Sequence, residues 1–140
     1  MSILMTLSSR PRALLIPLLL VLSVCGAIAF AVQAAGDPEP RQVTLLARGM
    51  AFYLPGDATP NPRLVAERGE ELRFVLRNED RGMPHDLEVP EAGGDRKATR
   101  AVRGVGDTAS LAFRAPETAG NYEYVCTFHS RMMRGVLEVR

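Results

Sequence analysis

The sequence predicts an all-β fold, a Greek-key sandwich of about eight short strands preceded by an apolar N-terminal leader helix. From residue 42 onward, short apolar runs are separated by glycine, proline, aspartate and asparagine, which is typical of strands joined by turns. The second observation is alternation: Leu72, Phe74 and Leu76 alternate with Arg73 and Arg77. One face of such a strand packs in a core and the other meets water.

The candidate strands follow from these two patterns, and we expect antiparallel pairing among them. They cover residues 42–47, 51–54, 64–67, 71–78, 85–89, 110–114, 120–126 and 135–139. Between them, glycines interrupt any pattern in residues 91–108. We expect this segment to be a long loop with one weak strand or helical turn.

The N-terminal residues have a different character. Arg10 and Arg12 precede an apolar run, residues 13–34, that contains no charge and ends in small residues. Residues 1–35 are therefore predicted to be an export signal, followed by a linker, residues 36–41, and one domain, residues 42–140. Because about 20 apolar residues can span a bilayer, the alternative is an uncleaved membrane anchor that tethers the domain through residues 13–34.

Either alternative places the domain outside the cytoplasm, in the periplasm or facing it from the membrane. Apart from Arg10 and Arg12, the basic residues nearly balance the 16 acidic ones. A domain so close to neutral gives no indication of a nucleic-acid partner.

The exported domain has a single cysteine, Cys126, which cannot form an internal disulfide in an oxidising compartment. It is therefore buried and inert, paired with another chain, or bound to a ligand. Tyr122, Tyr124 and Cys126 occupy alternate positions of one predicted strand. If the tyrosines point inward, so does the thiol, at the carboxyl end of that strand.

Both histidines of the chain can reach the same place. His85, Leu87 and Val89 alternate on another predicted strand, and His129 follows Cys126 by three residues. Two imidazoles, one thiolate and a weakly bound methionine are the ligand set of a blue copper site. A catalytic zinc site is the alternative, but no aspartate or glutamate occupies residues 126–133 as a fourth ligand. The constellation predicts one copper ion.

Three sequence segments resemble the cupredoxin family, which includes plastocyanins, amicyanins and azurins. They are Gly-Glu-Glu-Leu-Arg-Phe-Val-Leu-Arg-Asn from Gly69, Met-Pro-His ending at His85, and Gly-Asn-Tyr-Glu-Tyr-Val-Cys ending at Cys126. The resemblance covers roughly residues 42–140. It implies a cupredoxin-like sandwich in which His85, Cys126 and His129 are the equatorial copper ligands.

The axial methionine is a choice between neighbours. In the family it commonly lies two residues before a glycine that opens the last strand, and Met133 before Gly135 fits this register. Met132 fits only a shorter spacing. Because a one-residue shift of the last strand would turn Leu137 and Val139 outward, we prefer Met133 and keep Met132 as the alternative.

Residues next to the ligands also bear on the copper. Family members often have asparagine after the first histidine, where its amide ties two ligand loops together, whereas this chain has Asp86. We expect Asp86 to accept a hydrogen bond from Thr127 and to favour Cu(II). Pro84 and Thr127 complete the predicted surroundings of the ligands.

The predicted function is one-electron transfer by a type 1 copper centre between exported or membrane redox partners. These partners would dock weakly near His129. The alternative is a periplasmic copper carrier or storage protein that binds copper and releases it. Because both histidines belong to one centre, no ligands remain for an open catalytic copper, and we predict that the protein is not an enzyme.

Overall fold

The computed structural model describes residues 39–91 and 93–140, so the predicted leader and tether lie outside the described residues. Nine strands occur in the described part, with one 3₁₀ turn before the last. The strands are β1 (Arg41–Arg48), β2 (Ala51–Tyr53), β3 (Leu64–Ala66), β4 (Glu71–Asn78), β5 (Glu88–Pro90), β6 (Arg96–Ala98), β7 (Thr108–Arg114), β8 (Gly120–Val125) and β9 (Arg134–Val139); the turn is Thr127–His129.

The strands form two sheets, with orders β2-β1-β4-β7 and β3-β9-β8-β5-β6. The predicted all-β class is confirmed. The additional strand, β6, lies in the segment expected to be mostly loop, and all three of its residues are exposed. Among the described residues, no helix has the length and apolar character needed to cross a membrane.

Two pairings differ from the antiparallel expectation. β1 pairs with β4 in parallel, and β3 pairs with β9 in parallel. The chain leaves the first sheet after β2, forms β3 in the second sheet and returns as β4. Because β1 and β4 are joined through the opposite sheet rather than by a hairpin, they can lie side by side in the same direction.

Strand alternation places the core between the sheets. In β4 and β7, every second residue is buried, and the same holds in β9 for Gly135, Leu137 and Val139. The rings of Phe74 and Phe113 meet across the first sheet with centroids 5.4 Å apart. The inward face predicted for Leu72, Phe74 and Leu76 is confirmed, as is that for Leu137 and Val139.

The strand predicted at residues 85–89 is shorter and begins later than expected. β5 starts at Glu88, and His85 forms only an isolated bridge with Val102, with hydrogen bonds of 2.9 and 2.8 Å. His85, Leu87 and Val89 are nevertheless all fully buried. The segment keeps the alternation of a strand because the bridge holds its backbone extended, although no continuous ladder covers it.

Gly135 is required by the packing of Tyr124, its partner in the β8–β9 ladder. The buried Tyr124 ring lies over Gly135, so that a Cβ atom there would be 2.2 Å from the ring Cζ. The Tyr124 hydroxyl donates a hydrogen bond of 2.5 Å to the Pro62 carbonyl, and burial raises the pKa of this phenol far above its ordinary value. Glycine is thus the residue that lets the last strand approach the ring.

Gly135→Ala is expected to destabilise the domain by about 1–3 kcal/mol, because the added methyl must displace a packed, hydrogen-bonded ring. Gly120→Ala is the matched control, since its Cβ would meet nothing closer than 3.6 Å. Urea unfolding of both variants measures the difference. Equal stability of the two would contradict this account of the last strand.

Candidate metal centre

The four predicted ligands lie on segments that adjoin strands of the second sheet. Cys126 directly follows β8, and His129 ends the 3₁₀ turn. Met133 directly precedes β9, while His85 lies three residues before β5. Because β8 is hydrogen-bonded to both β9 and β5, these segments can approach one another at one end of the sheet.

The side chains of three of these residues converge. The Cys126 Sγ lies 3.9 Å from the His85 Nδ1 and 3.7 Å from the His129 Nδ1, and the three donor atoms lie within 4.8 Å of one another. Bonds of about 2.1 Å to nitrogen and 2.3 Å to sulfur, 120° apart, would separate the donors by about 3.8 Å. The spacing therefore suits one metal ion held by all three.

Backbone hydrogen bonds close the loop that carries Cys126, His129 and Met133. The Cys126 amide donates to the Met133 carbonyl over 3.0 Å, and the His129 amide donates to the Cys126 carbonyl over 3.2 Å. The Met133 amide donates to the His129 carbonyl over 2.9 Å. Three candidate ligands are thus fixed relative to one another by the main chain alone.

The two candidate methionines differ sharply in burial. Met133 is fully buried, whereas Met132 is 53% exposed. The Met132 carbonyl accepts a hydrogen bond of 2.9 Å from the Asn61 Nδ2. Asn61 thereby holds the backbone of Met132 at the surface and leaves Met133 on the core side. This arrangement favours Met133 as the residue that faces the other donors.

Asp86 ties the His85 segment to the Cys126 loop. Its Oδ1 accepts a hydrogen bond of 2.7 Å from the Thr127 amide, and its Oδ2 accepts one of 2.5 Å from the Thr127 hydroxyl. Asp86 is 6% exposed, so these two bonds replace the water that its carboxylate loses. Pro84, on the other side of His85, is half-buried.

Burial dominates the electrostatics of Cys126. It raises the pKa of the thiol above its ordinary value, and the nearby Asp86 carboxylate acts in the same direction. Since metals bind the thiolate, the proton must leave when a metal binds. A metal with high affinity for thiolate is therefore needed to keep this cysteine ionised.

Sequence reasoning missed two residues around the site, Asp80 and Asn61. The Asp80 Oδ2 lies 2.9 Å from the His85 Nε2, and Asn61 braces the ligand loop. Asp80 follows the end of β4, where a polar residue predicts a turn and nothing more. Asn61 has a positive φ of 52°, which its type tolerates, but the sequence does not indicate its contact with residue 132.

Comparison with known proteins bears on this arrangement. The model of a protein family described as copper binding proteins, plastocyanin/azurin family, matches residues 60–140. The chain belongs to this cupredoxin family. The predicted resemblance is confirmed. No curated protein sequence matches the chain significantly.

Solved cupredoxin structures share the fold. Auracyanin A, a blue copper protein from the green thermophilic photosynthetic bacterium Chloroflexus aurantiacus, is 19% identical, with a TM-score of 0.57; the match covers 72% of this chain and 99% of that one. Auracyanin B is 22% identical, with a TM-score of 0.57, and the match covers 74% of this chain and 92% of that one. Reduced rusticyanin is 21% identical, with a TM-score of 0.55, and the match covers 74% of this chain and 81% of that one. At these identities the likeness concerns the fold.

The cofactor follows from the family together with the donor set. A thiolate and two imidazoles within 4.8 Å of one another, with a buried methionine on the same loop, fit a single type 1 copper ion. The predicted copper cofactor is confirmed. Thiolate and thioether sulfur are soft donors, and imidazole also binds copper, so this donor set suits the metal.

Asp86→Asn is expected to raise the reduction potential of the copper by tens of millivolts, because it removes a negative charge that favours Cu(II) next to the Cys126 loop. Glu88→Gln is the control, since it makes the same charge change two residues away in an ion pair with Arg96. Voltammetry of both variants provides the measurement. A potential for Asp86→Asn at or below that of the unchanged protein would contradict the expectation.

Proposed function

We propose that the protein is a type 1 copper protein that carries single electrons between redox partners. The observation that supports this most directly is the convergence of the Cys126 Sγ with the Nδ1 atoms of His85 and His129. Bound copper supplies a one-electron couple between Cu(II) and Cu(I). In this proposal the three atoms are the equatorial ligands, and Met133 is the axial ligand.

Each ligand contributes a different property. The Cys126 thiolate and the Met133 thioether are soft donors that suit Cu(I), while the imidazoles of His85 and His129 also suit Cu(II). The backbone hydrogen bonds between Cys126, His129 and Met133 keep these donors in place for both oxidation states. Little movement is then needed when an electron arrives or leaves, which favours fast transfer.

Burial supports electron transfer over catalysis. His85, Cys126 and Met133 are fully buried, so no open ligand position faces solvent on their side of the site. A substrate therefore has no route to the metal past these three residues. This burial also favours retention of copper over its release, which the alternative function of copper carriage or storage would require.

His129 is the one proposed ligand that is not fully buried. Phe128, directly before it, is 46% exposed, and Met132, three residues after it, is 53% exposed. We propose that this apolar surface around His129 docks redox proteins briefly, with electrons passing through the imidazole. Such a small surface suits weak, transient complexes.

The proposed place of action is outside the cytoplasm. A soluble periplasmic protein and a membrane-anchored one both agree with the leader pattern of residues 1–35. The buried free thiol of Cys126 suits an oxidising compartment when it is bound to copper, because a bound thiolate is protected from oxidation.

Addition of Cu(II) to the purified domain is expected to give an intense visible thiolate-to-copper band and the matching paramagnetic-resonance spectrum. Met133→Leu is expected to keep the band and raise the potential, because the axial ligand tunes the couple. Met132→Leu, a matched change at the exposed neighbour, is expected to leave both unaltered. A colourless zinc-loaded protein that takes up no Cu(II) would overturn the proposed function.

Electron carriage and copper carriage differ in one measurement. Repeated one-electron cycling without loss of metal supports an electron carrier, whereas loss of copper on reduction supports the copper carrier.

Phe128→Lys is expected to slow electron self-exchange severalfold with little change in potential. Two copies would meet through the surface around His129, and the positive charges of the two added lysines would repel each other. Val65→Lys is the control: Val65 is 37% exposed and lies opposite Glu138 in β9, about 17 Å along the strand from Met133. Nuclear magnetic resonance line widths of mixed Cu(I) and Cu(II) samples measure the rate. Equal slowing by both changes would count against docking at His129.

A further inference from the structure

The two nitrogens of the His85 ring face different partners. The Nδ1 lies 3.9 Å from the Cys126 Sγ, and the Nε2 lies 2.9 Å from the Asp80 Oδ2. The ring is fully buried, so water does not compete for either nitrogen. Since a carboxylate only accepts hydrogen bonds, the Nε2 is the nitrogen that donates to Asp80, and the Nδ1, on the side of the thiol, is the one placed to bind a metal.

Asp80 is itself held firmly in place. The Gly49 amide donates to both of its carboxylate oxygens, over 3.0 and 2.9 Å. The Asp80 amide donates to the Asn78 Oδ1 over 3.0 Å, and the Asn78 Nδ2 donates back to the Asp80 carbonyl. The Asn78 Nδ2 also donates to the Gly104 carbonyl over 3.2 Å, and Asn78 is fully buried. The carboxylate therefore has little freedom to leave the histidine.

The turn between β1 and β2 supplies the Gly49 donor. Gly49 and Met50 both have positive φ, 56° and 62°, as in the two-residue hairpin turn that matches strand twist. Residue 50 adopts this conformation although it is not glycine, which costs energy and persists only where the surroundings fix it. Asp80 accepts hydrogen bonds from the Gly49 amide and from the His85 Nε2, and it thereby connects this turn to the metal centre.

Asp80 and Asp86 act on different groups. The carboxylate of Asp86 bonds Thr127, next to the thiol, and reaches no imidazole, whereas that of Asp80 bonds the imidazole of His85 directly. A carboxylate hydrogen-bonded to a metal-ligating histidine fixes its tautomer and ring orientation and raises its basicity.

We propose that Asp80 is a positioning residue that holds His85 towards copper and, through the imidazole, stabilises Cu(II) more than Cu(I). The proposal rests on the proposed function, because it takes His85 as a copper ligand. Its consequence is a lower reduction potential than His85 would give with a neutral partner.

Asp80→Asn tests the proposal, since it keeps the size and an accepting oxygen but removes the charge. Glu79→Gln is the matched control, because it removes the same charge from the neighbouring residue. Glu79 is partly buried and pairs with Arg48 at 3.5 Å. We expect Asp80→Asn to weaken Cu(II) binding about 10-fold or more, and Cu(I) binding less. A tenfold difference between the two losses raises the potential by about 59 mV. Glu79→Gln is expected to leave the potential unchanged.

The outcomes separate this proposal from the proposed function. If the unchanged protein gives a blue, reversible copper couple and Asp80→Asn shifts the potential no more than Glu79→Gln, the role of Asp80 is refuted and the function stands. Equal weakening of both oxidation states by Asp80→Asn indicates a structural role only and also refutes it. If the unchanged protein gives no such couple, the function and this proposal both fail.

A second pair of variants covers the case in which Asp80→Asn does not fold. Asp80→Glu and Asp80→Gln have side chains of equal length and differ in charge alone. The proposal requires a lower potential in Asp80→Glu than in Asp80→Gln. Equal potentials in this pair would overturn it.

Discussion

The register between β8 and β9 is the constraint on which the metal centre depends. The ladder from Gly120 paired with Val139 to Val125 paired with Arg134 continues into the hydrogen bond from the Cys126 amide to the Met133 carbonyl. A slip by one residue would turn every side chain of β9 to the other face and exchange Met133 for Met132. The Tyr124 ring over Gly135 opposes such a slip, because no other residue of β9 lacks a side chain. Core packing thus determines which of the two methionines is buried.

Buried polar groups around the site are balanced by partners within the protein. No buried side-chain nitrogen or oxygen lacks a hydrogen bond among residues 39–91 and 93–140. Asn78, His85 and Asp86 are all buried, and an unpartnered polar atom there would cost about 1–3 kcal/mol. Because these bonds orient the candidate ligands as well, the same network that makes burial tolerable limits the movement of His85 and of the Cys126 loop.

Sequence patterns were sufficient to predict the buried faces of the strands and the convergence of His85, Cys126 and His129. They were insufficient to predict which strands pair. The alternation of Leu72, Phe74 and Leu76 indicates which side is buried, since a strand has a period of two. It does not reveal that β1 lies parallel to β4, because that pairing depends on the chain crossing between sheets. Likewise, the alternation at His85 predicted its burial, whereas the ladder there is a single bridge to Val102.

The two residues that sequence reasoning missed, Asp80 and Asn61, make tertiary contacts that no local sequence pattern indicates. The turn after β4 brings the Asp80 carboxylate to the His85 ring, and the hairpin at Gly49 supplies a backbone amide that donates to that carboxylate. Asn61 reaches residue 132 across 71 positions of the chain. For Asp80 and for Asn61, the residue type alone indicates a turn, and the contact that each makes near the site depends on tertiary structure.

The two histidines differ in their surroundings, and this difference bears on the proposed function. His85 is fully buried, hydrogen-bonded by a carboxylate and bridged to Val102, so it resists displacement. His129 lies in a short turn, is partly exposed and has apolar neighbours at the surface. In the proposed function, His85 would be a rigid inner ligand that keeps the geometry constant, and His129 would be the accessible ligand through which a partner exchanges electrons. Copper release by a carrier would require an inner ligand that dissociates readily from the metal, and the hydrogen bonds around His85 oppose such dissociation.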